Sequence, residues 1–461
     1  MSADVLFAGG TAVLPVGPVL ADVAVRDGVI TAVGEPGTLA ADHVVDVRGL
    51  VVLPGAIDVH VHFRQPGFEY KEDFASGTAA AACGGVTTVC DMPNTHPPVT
   101  TASRFRAKQA LAANAAHVDF ALWAGGTDLF ELTEMAALGA VGVKVYMNRS
   151  HRPDDPYAAE LSMPDDETLR KVFWLAADLG LPVAVHVADH EHEARVRARL
   201  QAVSTTDARL VCRSYRSDGV LDGLERVLAA ARDIGTRVHV AHASLAPTSA
   251  IGMIAAARDA GGNVSCECGP PALLEDELDT LGVRGVPFAF PPDDADFYWS
   301  SLADGSIDLV ATDHAPHSKA DKDVGRNNVW DAPPGYPGVE TSLPLMVDAV
   351  LSGRLTWRRL VELTSAAPAR LCGLTTKGAI ARGVDADLVL VDPSTSRVVA
   401  ADRLHSKAGW TPFEGRQLSG ALTATYLRGR LVAQDGQVVD GQHMGRFVSP
   451  PRWVSERGQS C

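Results

Sequence analysis

Eight short apolar runs alternate with longer amphipathic or alanine-rich stretches through the middle of the chain, and this alternation restricts the fold more than any other feature. The runs cover residues 57–62, 86–92, 118–124, 141–147, 182–187, 237–242, 263–268 and 307–313. Stretches that suit crossover helices lie between them, for example 71–83, 103–115, 166–179, 221–234 and 247–257. Eight parallel strands, each followed by a helix, predict an α/β fold, namely a closed (β/α)8 TIM barrel.

Short strands joined by tight turns are predicted at both ends of the chain. They cover residues 5–14, 22–26, 29–33 and 44–53, and later 386–391 and 421–432. Because neither segment is long enough to bury a core alone, we expect the two to form one small discontinuous β-sandwich. The predicted domains are residues 1–53 (first part of the sandwich), 54–375 (the barrel) and 376–461 (second part and a C-terminal tail).

The charge balance limits the kinds of binding partner that we expect, and the cysteine content indicates the cellular compartment. The chain has 41 Lys and Arg against 56 Asp and Glu, a formal net charge of −15. A chain this acidic lacks the basic surface that neutralises phosphates, so we expect neither a nucleic-acid partner nor a membrane partner. The seven Cys residues have no regular spacing, which is typical of a reducing compartment, and we predict a cytoplasmic location.

Polar residues stand at the C-terminal ends of several predicted barrel strands. His60 and His62 are two positions apart, so their side chains share one face of the first strand. His186, His242 and Asp313 end the fifth, sixth and eighth strands. Taken singly, each residue has an ordinary structural interpretation, such as a buried His bonded to a carbonyl or an Asp that caps a helix. Together they favour a zinc site, because imidazole and carboxylate are suitable zinc ligands.

Lys144 lies inside the fourth apolar run and needs a separate interpretation, because an ammonium group cannot ligate a metal. Burial beside cations disfavours its charge and lowers its pKa. A neutral amine can add CO₂ to form a carbamate, whose two oxygens could bridge two metal ions. The alternative is a structural Lys that pairs with a carboxylate.

Six segments resemble those of the amidohydrolase superfamily, and within it the group of dihydroorotases, allantoinases and dihydropyrimidinases. They are PGAIDVHVHFRQPG (54–67), GGVTT (84–88), MPNT (92–95), ATDHAPH (311–317), GVET (338–341) and PFEG (412–415). The likeness spans nearly the whole chain, including the two β-rich ends. Among the three activities, the dihydroorotases are the most similar.

This resemblance implies two Zn²⁺ ions per chain, bridged by carboxylated Lys144. The remaining ligands are implied to be His60, His62 and Asp313 for the first ion, and His186 and His242 for the second. Two cations would lower the pKa of a bridging water and polarise an amide carbonyl. Asp313 would then act as the catalytic residue that takes the water's proton and returns it to the departing ring nitrogen.

Arg64 and Asn94 match the residues that bind the substrate carboxylate in dihydroorotases, and a guanidinium with an amide donor suits that group. The expected substrate is therefore a small anionic cyclic amide. The alternative is that Arg64 pairs with Glu69 or Glu72 and that Asn94 caps a turn. His317, on the loop after the eighth strand, would either contact substrate or anchor that loop.

Several departures from the dihydroorotase pattern leave other functions open. Gln65 stands where dihydroorotases commonly have Glu, and residues 269–273 and 290–294 differ from the related enzymes. Arg149 stands where hydantoinases have Tyr. Residues 318–338 would form either a lid or a solvated loop. Alternatives are a paralogue that opens or closes another cyclic ureide or imide, and a non-catalytic homologue that serves in assembly. We expect a homo-oligomer.

Overall fold

The structure is a computed structural model that describes residues 3–148, 159–163, 165–201, 205–273, 276–287, 294–439 and 443–451. Arg149 and most of the 290–294 segment lie outside these ranges. The N-terminal part forms five strands, which are β1 (Ala3–Leu14), β2 (Gly17–Arg26), β3 (Val29–Gly34), β4 (Ala41–Asp46) and β5 (Val51–Pro54). β1 pairs with β2 in antiparallel orientation and with both β4 and β5 in parallel orientation.

The barrel predicted from the apolar runs is present. Its strands are β6 (Ala56–Val61), β7 (Val86–Asp91), β8 (Asp119–Leu122), β9 (Val143–Tyr146), β10 (Val183–His186), β11 (Val238–Val240), β12 (Val264–Cys268) and β13 (Leu309–Val310). All the ladders between them are parallel. Single parallel bridges, Ala124 with Val143 and Val61 with His314, join the three-stranded and five-stranded parts into a closed barrel.

Helices follow the barrel strands and cover their outer faces. They are α1 (Phe74–Cys83), α2 (Ala102–Ala113), α3 (Leu129–Ala137), α4 (Asp166–Asp178), α5 (His190–Gln201), α6 (Ala208–Tyr215), α7 (Asp218–Ile234), α8 (Ser249–Asp259), α9 (Asp294–Asp304), α10 (Lys319–Asp323), α11 (Ser342–Leu351), α12 (Trp357–Val361) and α13 (Ala367–Leu371). α1 begins three residues later than predicted because Asp73 caps it, its carboxylate accepting the Ser76 backbone N–H at 2.8 Å.

The two ends of the chain meet in one nine-stranded sheet. The C-terminal strands are β14 (Leu388–Val398), β15 (Gln417–Leu427), β16 (Arg430–Gln434) and β17 (Gln437–Val438). β5 pairs with β14 in antiparallel orientation and so connects the two ends. Val52 of β5 packs in the core of this sheet, whereas Val51 and Leu53 pack in the barrel core. The domain boundaries at residues 53/54 and 375/376 stay a prediction.

The segment 318–338 is more buried than its charged sequence indicates. Lys322 of α10 is fully buried, and its Nζ donates to the carbonyls of Val286 at 2.7 Å and Pro333 at 2.8 Å. Val329 and Trp330 of the same segment are also buried. The prediction that the whole segment is a solvated loop is therefore wrong. Its role as a lid stays a hypothesis. Among the described residues, no helix is long and apolar enough to span a membrane.

Candidate metal centre and active site

Three of the predicted ligands meet at the C-terminal end of the barrel. His60 is the fifth residue of β6, His62 follows that strand, and Asp313 follows β13. Both imidazoles direct Nε2 at Oδ1 of Asp313, at 3.3 Å from His60 and 2.9 Å from His62. One ligand atom from each residue lies within 4.8 Å of the other two. Two nitrogens and one oxygen therefore converge on a space that fits a metal ion.

The second nitrogen of each of these imidazoles is held by a buried side chain. Nδ1 of His60 lies 2.5 Å from Oε1 of Glu267, and Nδ1 of His62 lies 2.5 Å from Oδ1 of Asn94. Both oxygens are acceptors, so each imidazole donates from Nδ1, which leaves Nε2 as the nitrogen that a metal ion would bind. A carboxylate or amide behind a metal-binding His sets its tautomer and orientation in this way.

Glu267 is a residue of the site that the sequence analysis missed. It lies on β12 with 1% of its surface exposed, and it contacts two other histidines. His239 Nε2 lies 2.9 Å from Oε2, and the backbone N–H of His242 donates to Oε1 at 2.8 Å. Burial alone would raise the pKa of Glu267, but His60 and His239 hold it well below its usual range. The available signal was a charged residue inside an otherwise apolar barrel strand.

His186 and His242, the predicted ligands of a second ion, face each other. Nδ1 of His186 lies 2.8 Å from Nε2 of His242, and the His242 ring centroid lies 5.7 Å from that of His60. Burial lowers the pKa of His242 to about 4 and that of His186 well below the ordinary value. Both imidazoles are therefore neutral near pH 7, which is the form that binds metals.

Lys144 lies on β9 beside these residues and is fully buried. Its Nζ has no hydrogen-bond partner among the residues that the structure describes. Burial lowers its pKa to about 8, although the carboxylates of Glu267 and Asp313 oppose that shift. A buried and easily neutralised amine without a bonded partner fits a carbamate that bridges two ions, and it does not fit a structural ion pair at hydrogen-bond distance.

Backbone strain is concentrated at this site. Six residues other than Gly have positive φ in the described ranges. Three of them precede a Gly in a tight turn: Asp27, Arg428 and Asp435. The other three are candidate site residues: Arg64 (φ 63°), His242 (φ 36°) and Asp313 (φ 48°). Strained backbone of this kind persists where surrounding contacts enforce it, and it is common at active sites.

Comparison with known families agrees with this geometry. The model of the amidohydrolase family matches residues 51–432, which include every candidate ligand described above. The chain belongs to the amidohydrolase family.

Known relatives of this amidohydrolase act on cyclic amides. It is 39% identical to an allantoinase of Rubrobacter xylanophilus over 98% of the chain and 99% of that protein. It is 40% identical to a dihydroorotase of Halobacterium salinarum over 92% of the chain and 98% of that protein. A solved L-hydantoinase (dihydropyrimidinase) from Arthrobacter aurescens superposes with a TM-score of 0.91 at 32% identity, covering 97% of this chain and 100% of that one. The amidohydrolase is therefore a hydrolase of cyclic amides.

The amidohydrolase has a group of cations next to the predicted ligands. Arg64 Nη2 lies 3.2 Å from Nε2 of His317, and Lys71 Nζ lies 3.2 Å from its Nδ1. His317 Nε2 also lies 3.0 Å from the carbonyl oxygen of Pro334. Burial, followed by the charges of Arg64, Lys71 and Lys322, holds the pKa of His317 well below its ordinary value. The imidazole is thus neutral and lies between Arg64 and Lys71. Burial, followed by the charge of Arg64, also holds the pKa of Lys322 well below its ordinary value.

The residues that sequence analysis proposed for substrate binding are therefore divided between two places. Arg64 and His317 lie in one cluster with Lys71 and Lys322. We name these four residues the Arg64 group. Asn94 instead contacts His62 through its amide oxygen. The acids considered as partners of Arg64 make contacts elsewhere: Glu69 accepts the Gly67 backbone N–H, and Glu72 accepts the Ser406 hydroxyl.

Proposed function

We propose that this amidohydrolase is a dihydroorotase that interconverts dihydroorotate and N-carbamoyl-L-aspartate at two zinc ions. The observation that carries the proposal is the Arg64 group, because the cations Arg64 and Lys71 beside a neutral imidazole favour an anionic substrate. Dihydroorotate has a carboxylate in addition to its cyclic amide, whereas allantoin, hydantoin and dihydrouracil have none. A guanidinium binds a carboxylate through two parallel hydrogen bonds.

The donor set supports a binuclear centre. His60, His62 and Asp313 would hold the first ion, His186 and His242 the second, and the carbamate of Lys144 both. When bound, such a pair of ions polarises an amide carbonyl and makes hydroxide available near pH 7. Two observations support this assignment: the Nζ of Lys144 has no hydrogen-bond partner in the part of the chain that the structure describes, and the imidazoles of His186 and His242 are neutral and face each other.

Asp313 is the proposed proton carrier. Burial opposes its ionisation, but His60 and His62 hold its pKa well below the ordinary value, so it is a carboxylate near pH 7. It can accept the proton of the attacking water at one carboxylate oxygen and donate it to the ring nitrogen when the amide bond breaks. The same residues can also close the ring, because a reaction and its reverse follow the same path.

A second candidate is an allantoinase, favoured by the relative that aligns over 98% of the chain. Gln65, which departs from the dihydroorotase pattern, makes a structural contact here. This contact is compatible with both activities. Its Oε1 accepts the backbone N–H of Phe74 at the start of α1 at 3.1 Å. The Arg64 group separates the two candidates, because allantoin has no carboxylate for it to bind.

The test is a panel of dihydroorotate, N-carbamoyl-L-aspartate, allantoin, hydantoin and dihydrouracil, assayed in both directions with zinc and bicarbonate. We expect turnover of the first pair. Arg64→Lys should raise KM for dihydroorotate about 10- to 100-fold, because a point charge replaces a bidentate one. Arg104→Lys, at a surface pair with Glu160, is the matched control and should change little. Turnover of allantoin without turnover of dihydroorotate would establish the second candidate instead.

A further inference from the structure

The connection between β14 and β15 leaves the terminal sheet over residues 400–414, which we name the strap. At its base, the backbone N–H of Gly415 donates to the Val399 carbonyl at 2.8 Å. A carboxylate oxygen of Glu414 accepts the backbone N–H of Ala401, also at 2.8 Å. Hairpin loops usually have about two to five residues, and ordered loops as long as the strap are usually functional. The strap therefore needs an explanation beyond the turn between two strands.

The second half of the strap is buried against the barrel. The side chains of Ala408, Trp410 and Phe413 are buried and belong to the apolar core of the barrel. The first half, residues 401–407, is at least partly exposed and has most of the polar side chains. Apolar packing thus fixes the strap on the barrel, and its polar groups make the directed contacts.

Ser406 and Lys407 contact the loop that follows β6, which is the loop that carries Arg64. The Ser406 hydroxyl donates to Oε2 of Glu72 at 2.5 Å, and Lys407 Nζ donates to the Glu69 carbonyl at 2.8 Å. Glu72 is fully buried. Burial of a carboxylate is costly unless hydrogen-bond donors surround it. The strap therefore supplies one of the donors that keep this acid, and the loop around it, in place.

Trp410 contacts the loop that follows β13, which is the loop that carries His317. Its indole Nε1 donates to the backbone carbonyl of His317 at 2.8 Å, and this contact is buried. The two loops also meet directly, because Arg64 Nε donates to the Pro316 carbonyl at 3.3 Å. The strap thus contacts both loops that form the Arg64 group.

Two of the segments that carry the family resemblance have a use in the strap. GVET (338–341) supplies Glu340, whose Oε2 accepts the backbone N–H of His405 at 2.8 Å. PFEG (412–415) supplies Glu414, which closes the base of the strap. Neither segment contains a residue of the proposed binuclear centre. Their contacts instead hold the strap at the mouth of the barrel.

We propose that the strap holds the Arg64 and His317 loops in register, so that Ser406 and Trp410 are positioning residues for the substrate carboxylate. The inference rests on the proposed function, because it takes the substrate to be an anion. Arg64 has a φ of 63°, a conformation that only surrounding contacts maintain. A guanidinium that binds a carboxylate through two parallel hydrogen bonds tolerates little displacement. Loss of a strap contact should therefore weaken substrate binding and leave the chemical step intact.

Trp410→Phe tests the proposal, because it removes the indole N–H and keeps an aromatic ring in the core. With full-length, zinc-loaded protein, we expect KM for dihydroorotate to rise about 3- to 10-fold and kcat to change less than about 2-fold. Ser406→Ala should act in the same direction. Ser406→Thr restores the hydroxyl and should return KM toward the wild-type value. Trp357→Phe, on α12, is the matched control and should keep both constants.

The split between KM and kcat distinguishes positioning from general destabilisation, which would lower kcat as well. An unchanged KM in both Trp410→Phe and Ser406→Ala overturns the proposal, and Trp410→Phe decides alone if Ser406→Ala does not fold. If Arg64→Lys raises KM and the strap variants do not, the proposed function stands and the strap proposal fails. If wild-type protein does not turn over dihydroorotate, the proposed function fails. The same rise in KM, on the substrate that the panel identifies, then decides whether the strap positions these loops.

Discussion

The two halves of the proposed binuclear centre differ in how their imidazoles are held. In the first half, His60 and His62 each have Nδ1 against an acceptor, from Glu267 and Asn94, and each directs Nε2 at Asp313. In the second half, the facing nitrogens of His186 and His242 lie 2.8 Å apart. The first half has the geometry of bound ligands already, whereas the second needs the two rings to separate around an ion.

Asn148 makes the difference sharper. Its Nδ2 lies 3.3 Å from Nε2 of His186, which places a donor where a metal-binding imidazole needs an acceptor. Its Oδ1 has no hydrogen-bond partner among the described residues. Rotation of the amide by about 180° would bring Oδ1 to Nε2 and free Nδ1 of His186 for a metal. The comparison indicates that the first half is pre-organised and that the second is completed when metal binds.

The largest expected effect is on kcat, and it comes from removal of Lys144, whose carbamate would join the two halves. Lys144→Met should lower kcat by about 10³-fold or more, because loss of the bridge removes several kcal/mol of transition-state stabilisation. Protein prepared with ¹³C-bicarbonate should give a carbamate carbon resonance in the wild type and in the Lys171→Met surface control, and none in Lys144→Met. A fully active Lys144→Met protein with both ions would show that the lysine bridges nothing.

Glu267→Gln should have the next largest effect and should act on the first half. One carboxylate accepts from His60, His239 and the His242 backbone, whereas an amide offers a single acceptor oxygen. We expect metal affinity, measured by chelator competition, to fall about 10- to 100-fold. Ser265→Ala, which removes only the contact to His239 Nδ1, is the matched control. Equal affinities for Glu267→Gln and the control would contradict the positioning role.

The strands of the barrel were predictable because burial on both faces produces continuous apolar runs. The run at 263–268 became β12 (Val264–Cys268), and the run at 57–62 became β6 (Ala56–Val61). The eighth strand was predicted too long, since within residues 307–313 only Leu309 and Val310 form ladder pairs. Asp58 takes both the backbone N–H and the hydroxyl of Thr312, so the chain leaves the ladder there.

The supporting residues were not predictable to the same degree. Glu267 contacts His60 across 207 positions of sequence, and no local pattern encodes that distance. Asn94 was recognised, but its contact with His62 depends on the register of β7 against β6. Ligands at strand ends can be predicted from the periodicity of a single strand. The residues that hold these ligands in place depend on how several strands pair, which the sequence pattern does not show. The joining of the two chain ends through β5 and β14 was expected from their length alone.

A smaller effect on metal affinity is expected from substitution of Asn94 and Asn148, the amides that contact the imidazoles of the two halves. Asn94→Ala should weaken metal binding about 10-fold, because His62 loses the acceptor that sets its tautomer. Asn148→Ala should weaken it less than about 3-fold, since the Asn148 amide presents a donor in the metal-free geometry. Isothermal titration of chelator-treated protein with Zn²⁺ measures both. A larger loss for Asn148→Ala would reverse the assignment of the pre-organised half.

The last prediction concerns stability instead of activity: burial, together with the charges of the Arg64 group, holds His317 neutral. The folded pKa of His317 is depressed below its ordinary value of 6.5, so below pH 6.5 the unfolded chain binds a proton that the folded chain does not. This residue therefore lowers the free energy of unfolding by about 1.4 kcal/mol per pH unit as the pH falls below 6.5. His317→Gln should flatten the decline in urea midpoint between pH 6.5 and 5, relative to wild type. The exposed His96→Gln variant is the control. An unchanged slope in His317→Gln would mean that burial and the Arg64 group do not lower the pKa of this imidazole.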